Sequence, residues 1–440
     1  MALTGRAGLV AALGVVVVLL APQPGLAVAG VCLLLAAAIA LDLFLAGAVR
    51  PLTFQRSGDR LVRLGQAATI ELVVENPGSR RVRGVLRDAW APSAGATPRE
   101  QPVDVPAGER RRLVMTLSPS RRGDRESVGV TVRSVGPLGL AARQGGHSVP
   151  WTLRVLPPFL SRKHLPSRLA RLRELEGRHP ALVRGQGTEF DSLREYVVGD
   201  DVRSIDWRAT ARRHDVVVRT WRPERDRRVL IVLDTGRTSA GRVGAASGSA
   251  AMPEWPRLDW SMDAALLLAA LAARAGDRVD FLAYDRAVRA WVAGASRTEL
   301  LSALVNVMAP IEAELIEADS SGMVAAVLSR AKRRCLVVLL TDLNSSALEE
   351  GLMPVLPQLS ARHLVLVAGV TDPLVEAMAA ARDTTEQVYD AASAEQTRAD
   401  RKRITARLRR HGVEVVDAPP EDLAPALADA YLALKAAGRL

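Results

Sequence analysis

A chain of 440 residues that is 48% hydrophobic and 24% charged carries enough apolar material for two or three cored domains, which excludes a disordered tail protein. Its formal net charge of +11 rests almost wholly on arginine, because only Lys163, Lys332, Lys402 and Lys435 are lysines among 59 basic residues. No helix-turn-helix, zinc-finger or RNA-binding signature accompanies that charge, so it argues against nucleic acid as a partner and suits a protein lying near anionic lipid.

Cys32 and Cys335 are the only cysteines, and they support neither a disulfide framework nor a cysteine metal site. Residues 7–21, AGLVAALGVVVVLLA, and 26–48, LAVAGVCLLLAAAIALDLFLAGA, are almost wholly apolar and are separated by Pro22-Gln23-Pro24-Gly25. The second run is long enough to cross a hydrocarbon core, and the first needs its flanks. A transmembrane hairpin over residues 1–50 is expected. Arg6 before it and Arg50, Arg56, Arg60 and Arg63 after it place both ends in the cytoplasm by the positive-inside rule. A cleavable signal peptide ending near Ala27-Val28-Ala29 is the alternative, and with the second run as stop-transfer it reaches the same side. Only a first run that fails to cross puts the bulk outside. Asp42, inside the second run, is read as a helix-end residue or helix contact.

From 51 to 157 the period changes to two. Ile70, Leu72 and Val74 alternate with Thr69, Glu71 and Val73; Leu113, Met115 and Leu117, and Val128, Val130 and Val132, repeat the pattern between turn signals such as Asn76-Pro77-Gly78. This predicts an immunoglobulin-like β-sandwich region that acts as spacer or docking surface. Residues 158–226 form a linker helix and a highly charged segment. From 227 to 440, apolar strands (228–234, 278–285, 335–342, 364–370 and 413–417) alternate with Ala/Leu-rich helices such as SMDAALLLAALAARAG. That order predicts an α/β doubly wound domain with a mostly parallel sheet.

Ligands of such sheets bind at the carboxyl ends of strands, where Asp234 and Thr341-Asp342 stand. The turn DTGRTSAGR lacks both the dinucleotide fingerprint and the phosphate loop. The arrangement resembles a von Willebrand factor A domain, whose metal-ion-dependent adhesion site uses Asp-x-Ser-x-Ser, a Thr on a second loop and an Asp on a third. By that resemblance Asp234, Thr238 and Asp342 are the metal-site residues, with Ser320 or Ser321 as the second-loop hydroxyl. Gly236 has no side-chain oxygen at the third position and Arg237 adds a positive charge, so the resemblance implies a degenerate site with weakened Mg²⁺ binding. The alternative is that Asp234 and Asp342 cap helices.

The stretch GTEFDSLREYVVGDDVRSIDWRATARR, 187–213, holds six carboxylates, five arginines and three of the chain's 16 aromatics. Arginines pair with carboxylates and stack on rings, so a partly buried ionic and aromatic lattice is expected here in preference to a solvated helix face. Glu189 with Asp191, or Asp200 with Asp201, are candidates for acid and base work, but no nucleophile or histidine accompanies them. Arg184, Gly185, Gly187, Glu189 and Phe190, then Leu193, Arg194, Tyr196, Gly199, Asp200, Asp201, Arg203, Ile205, Asp206, Trp207, Ala211 and Arg212, resemble the signature of the bacterial domain of unknown function 58 (DUF58) family. That resemblance implies an N-terminal hydrophobic hairpin, a β-rich region, the signature and a von Willebrand A-like domain. It also implies a MoxR-type AAA+ ATPase as partner, with roles in complex assembly or the envelope. The expected function is therefore a membrane-anchored, cytosol-facing interaction or assembly factor and not an enzyme. The alternatives are an envelope structural or adhesion protein with its bulk outside, and a hydrolase using the signature carboxylates.

Overall fold

In the computed structural model, which describes residues 2–178, 189–197, 200–213, 215–222, 227–243 and 254–440, the chain divides into two units, Met1–Pro158 and Phe159–Leu440. The first begins with two apolar helices, α1 (Gly5–Leu20) and α2 (Pro24–Leu45), joined by three residues. Pro24 opens α2 at a position where a missing N–H loses no intrahelical bond. The helices touch at Gly14 and Val31 and leave most of their large apolar side chains exposed. Helix α2 is long and apolar enough to cross a membrane, and α1 is a shorter apolar helix.

Both free ends of this pair are fixed to one turn of the following β structure. Asp42 is fully buried: its Oδ1 accepts the amide of Leu138 at 2.7 Å, and its Oδ2 accepts those of Leu140 at 2.7 Å and Ala141 at 2.8 Å. A Cβ on Gly136 would collide with this carboxylate, so the turn depends on glycine there. Arg143 Nε donates to the Leu43 carbonyl at 2.9 Å, while Thr4, just before α1, donates to the Gly139 carbonyl at 2.5 Å. The connection at residues 21–23 is therefore the far tip of a helical hairpin.

Seven main strands follow: β1 (Thr53–Gly58), β2 (Ala68–Glu75), β3 (Val82–Trp90), β4 (Glu100–Val105), β5 (Arg110–Leu117), β6 (Gly123–Val135) and β7 (Ala141–Leu156). They form two sheets, β1-β2-β5 and β4-β3-β6-β7, each antiparallel between these strands. Alternate side chains of both sheets, among them Leu72, Val74, Leu86, Val103, Val130 and Val132, meet in one core. Val128 departs from the expected inward set and is 76% exposed. The strand slips register beside Ala89/Trp90 and Ser148/Trp151, so the inward phase runs from Ser127 directly to Val130. Between the sheets, Arg56 of β1 and Asp88 of β3 form an ion pair at 2.7 Å with both side chains 1% exposed.

The second unit opens with α3 (Leu165–Arg178) and a two-stranded antiparallel ribbon of β8 (Glu189–Glu195) and β9 (Val217–Arg222), with α4 (Trp207–Arg213) between them. Its main sheet contains β10 (Arg228–Asp234), β11 (Arg278–Tyr284), β12 (Val288–Val292), β13 (Leu336–Leu340), β14 (Leu364–Val370) and β15 (Glu414–Ala418) in the order β12-β11-β10-β13-β14-β15. All neighbours are parallel except β12, which runs antiparallel along the edge on β11. The sequence does not mark β12, whose VRAWV is short and only partly buried.

Strand residues are buried on both faces, which explains near-continuous Val and Leu in place of alternation. Leu230, Val232, Val337 and Leu339 pack with Val324, Val327, Ile404 and Leu408 on one side. Val229, Ile231 and Leu233 point to the other. Helix α5 (Arg257–Arg274), anticipated as a helix from its Ala/Leu run, is buried along most of its length and touches β10 and β11. From β10 the chain builds outward through β11 and β12, then returns to the opposite side of β10 for β13 to β15. The carboxyl ends of β10 and β13 therefore flank the point where strand order reverses, where open α/β sheets form binding crevices.

Candidate functional site

Asp234 ends β10 and is buried at that reversal point. Its Oδ1 accepts the Gly236 amide at 2.8 Å; its Oδ2 accepts the Thr341 hydroxyl at 2.7 Å and the Thr238 hydroxyl at 3.2 Å. Burial pushes the Asp234 carboxyl above its ordinary range, against the pull of these donors. Thr341 was legible in the sequence only as a strand end, and its tie to Asp234 depends on the pairing of β10 with β13. Ser320 and Ser321 open α6 (Ser320–Arg330) instead, and Ser320 lies near Gly351.

Asp342 is committed elsewhere. Arg401 Nη1 donates to it at 2.8 Å and Arg257 Nε stands 3.7 Å away. Arg401 also binds Asp417 at 2.8 Å and the Val370 carbonyl at 3.0 Å. Burial weakens the Arg401 charge, but Asp417 and Asp342 outweigh it and hold the guanidinium more firmly protonated than usual. Nearby, burial opposes ionisation of Asp285, yet Arg289 and the amides of Arg286 and Ala287 keep its carboxyl below the usual range. A cavity of about 630 Å³ opens beside Asp342, bounded by Arg257, Thr371, Arg398, Arg401 and Asp417. The buried Nε of Arg257 has no hydrogen-bond partner.

This donor set does not fit a hard divalent cation. One carboxylate, Asp234, is buried and already accepts the Gly236 amide and the Thr238 and Thr341 hydroxyls, while the other, Asp342, already has guanidinium groups where a metal's charge would act. Gly236 supplies no oxygen, and a Cβ there would meet Ala318 Cβ and the Ile316 carbonyl at 3.1 Å. Among the described residues no group of three or more His, Cys, Asp or Glu is spaced to hold a metal. Its described residues instead form a hydrogen-bonded polar cluster.

The charged segment is arranged around turns and caps. Asp200 accepts Arg194 Nη2 at 2.5 Å and the Val197 amide at 3.0 Å. Asp201 accepts the Arg203 amide at 3.0 Å and caps the 3-10 turn Val202–Ser204. Asp206 caps α4 through the amides of Arg208 at 3.0 Å and Ala209 at 3.1 Å, and pairs with Arg219 Nε at 2.8 Å. The Arg219 hydrogen bond, followed by the Ala209 amide, holds the Asp206 carboxyl below the usual range. Arg219 lies outside the segment that attracted attention in the sequence; only the β8–β9 pairing brings it in.

The rings do not close this network. Trp207 is 68% exposed, Tyr196 is half-buried, and Arg203 and Arg212 are exposed. Val197, Val202 and Val216 are also exposed, on segments joined by the Tyr196 amide to Val216 carbonyl bond at 2.8 Å and the Asp206 amide to Val217 carbonyl bond at 2.9 Å. Glu189 and Phe190 lie in β8, with side chains outside the described part; Arg184, Gly185, Gly187 and Gly199 lie outside the described residues.

Comparison with known proteins matches residues 192–415, just over half of the chain, to the family described as "Protein of unknown function DUF58". Uncharacterized proteins of Mycobacterium tuberculosis and Mycobacterium bovis are 26% identical over 201 residues, which is 45% of this chain and 60% of each relative. The chain thus spans about three fifths of the length of the curated relatives it matches. Among solved structures, the CARDB domain of a Pyrococcus furiosus protein in complex with di-metal ions is 18% identical, with a TM-score of 0.19 over 24% of this chain and 91% of that one. A β-glucosidase from Listeria innocua is 14% identical, with a TM-score of 0.15 over 22% and 16% of the two chains. Scores this low carry no argument about fold or activity.

Proposed function

The chain belongs to the DUF58 family, and from that premise we propose a membrane-anchored, cytosol-facing interaction or assembly protein that works with a MoxR-type AAA+ ATPase. The observation that carries this reading is Trp207, a large ring left 68% exposed on a helix whose start is held by Asp206 and Arg219. An exposed aromatic side chain on a capped, charge-rimmed helix is suited to anchoring a protein interface. The sheet order, with Asp234, Thr238 and Thr341 gathered at the reversal point, supports a doubly wound von Willebrand A-like domain that binds without a metal. The seating of both hairpin ends on one turn supports two spans, and the flanking arginines favour a cytoplasmic bulk. Asp200, Asp201 and Asp206 serve turns and caps, which favours binding over hydrolysis.

Co-purification of the full chain from detergent-solubilised membranes, with a slowly hydrolysed ATP analogue present, tests this reading. The ATPase is expected with the native chain. Trp207→Ala should cut its recovery roughly thirtyfold, the effect of losing an anchor worth about 2 kcal/mol, with thermal stability within about 0.5 kcal/mol of the native chain because the ring is exposed. Equal recovery with Trp207→Ala, or no ATPase in any nucleotide state, contradicts the proposal.

A further inference from the structure

At the opposite end of the main sheet, where β10, β11 and β13 begin, lies a cavity of about 790 Å³. Seven basic residues and two acidic ones line it: Arg228, Arg278, Arg297, Arg330 and the run Lys332–Arg334, against Asp277 and Asp280. The lining is richer in bases than the chain as a whole, which has 59 basic to 48 acidic residues.

Among the described residues neither acid pairs with Arg297, Lys332 or Arg334. Asp280 is paired with Arg228 Nε, and Asp277 accepts Tyr431 Oη and, at 3.1 Å, Lys435 Nζ, a lysine outside the lining. Arg330 is held over the Trp291 ring at 5.4 Å and donates to the Ala326 carbonyl at 3.1 Å, so one cation of the wall is already placed. Arg297, Lys332 and Arg334 are exposed at the mouth. A concave, positively charged space with apolar walls concentrates its field and selects anions.

We propose that this basic cavity binds a phosphate-bearing anion, either free oligophosphate or the phosphate of a lipid headgroup. Several guanidinium groups and an ammonium around one space suit an anion with many oxygens and more than one charge, since each Arg can make paired bonds to a phosphate and Lys supplies a point charge. A lone carboxylate would engage only a part of the wall. The site is separate from Trp207 and from the Asp234 network, and it stands whether or not the ATPase reading holds.

The test uses the full chain in nanodiscs of zwitterionic phosphatidylcholine, titrated calorimetrically with tripolyphosphate. Saturable binding is expected, weakening as salt rises. The double variant Arg297→Glu/Arg334→Glu should weaken it by roughly tenfold or more through loss of two charge-assisted contacts. Arg83→Glu, an exposed charge in the other unit, should leave it unchanged, and circular dichroism should report native folding for all three proteins. Repeating the titration in nanodiscs containing phosphatidylglycerol identifies the source: competition by the bilayer assigns the headgroup, and undiminished affinity assigns the free anion. No binding in phosphatidylcholine, or equal losses in the Arg83 and Arg297/Arg334 variants, overturns the proposal.

Discussion

Replacing Asp42 with Ala is expected to release the amides of Leu138, Leu140 and Ala141 and to unseat the helical hairpin from the β-sandwich. Three amide donors, two of them buried, would lose their acceptor at 2.7–2.8 Å, and at 1–3 kcal/mol for each unsatisfied group the cost is on the order of 4 kcal/mol. Asp42→Asn should rescue little, because its amide nitrogen would face an N–H where a second acceptor is needed. Hydrogen exchange of the peptide covering residues 136–143, measured on the detergent-solubilised chain, checks this directly. The native turn should be protected and both variants should exchange rapidly. Native-like protection in Asp42→Ala would mean that the turn holds itself.

The Arg56–Asp88 pair should have the second large effect. Its partners lie on different sheets, and Asp88 also accepts Ser127 Oγ and Trp90 Nε1, each at 2.9 Å. Burial loosens the proton of Arg56, and Asp88 is the group that opposes this. Arg56 Nε and Nη1 have no partners of their own, so Asp88→Ala leaves an uncompensated buried guanidinium and should cost about 3–5 kcal/mol. The double variant Arg56→Met/Asp88→Ala should recover part of that loss, because it removes the stranded charge. Pulse proteolysis in urea measures both. A single variant as stable as the native chain would show that water reaches the pair and that it does not tie the sheets together.

The sequence was most legible where one periodicity governed a whole element. Continuous apolar runs placed β10, β11, β13, β14 and β15, since strands buried on both faces admit little else. Alternation placed Ile70, Leu72 and Val74 in the sandwich core. It failed at Val128, because a bulge shifts phase without leaving a mark in composition. The site was less legible. Local caps such as Asp206 on α4 are readable from spacing, but Arg219, Arg401 and Asp417 enter through strand pairing and helix packing over long separations. The dense charge of residues 187–213 is plain in the sequence, while the organisation of its described residues into separate turns, with Trp207 exposed, follows from the β8–β9 ribbon.

The central claim is that Trp207 anchors a protein partner and that the acids beside it hold that anchor in place. A photo-reactive amino acid installed at position 207 of the full chain, activated in intact cells and followed by mass spectrometry of the adducts, tests it most directly. The account predicts a nucleotide-dependent adduct with a MoxR-type AAA+ ATPase. Adducts confined to lipid or to this chain's own residues would contradict it.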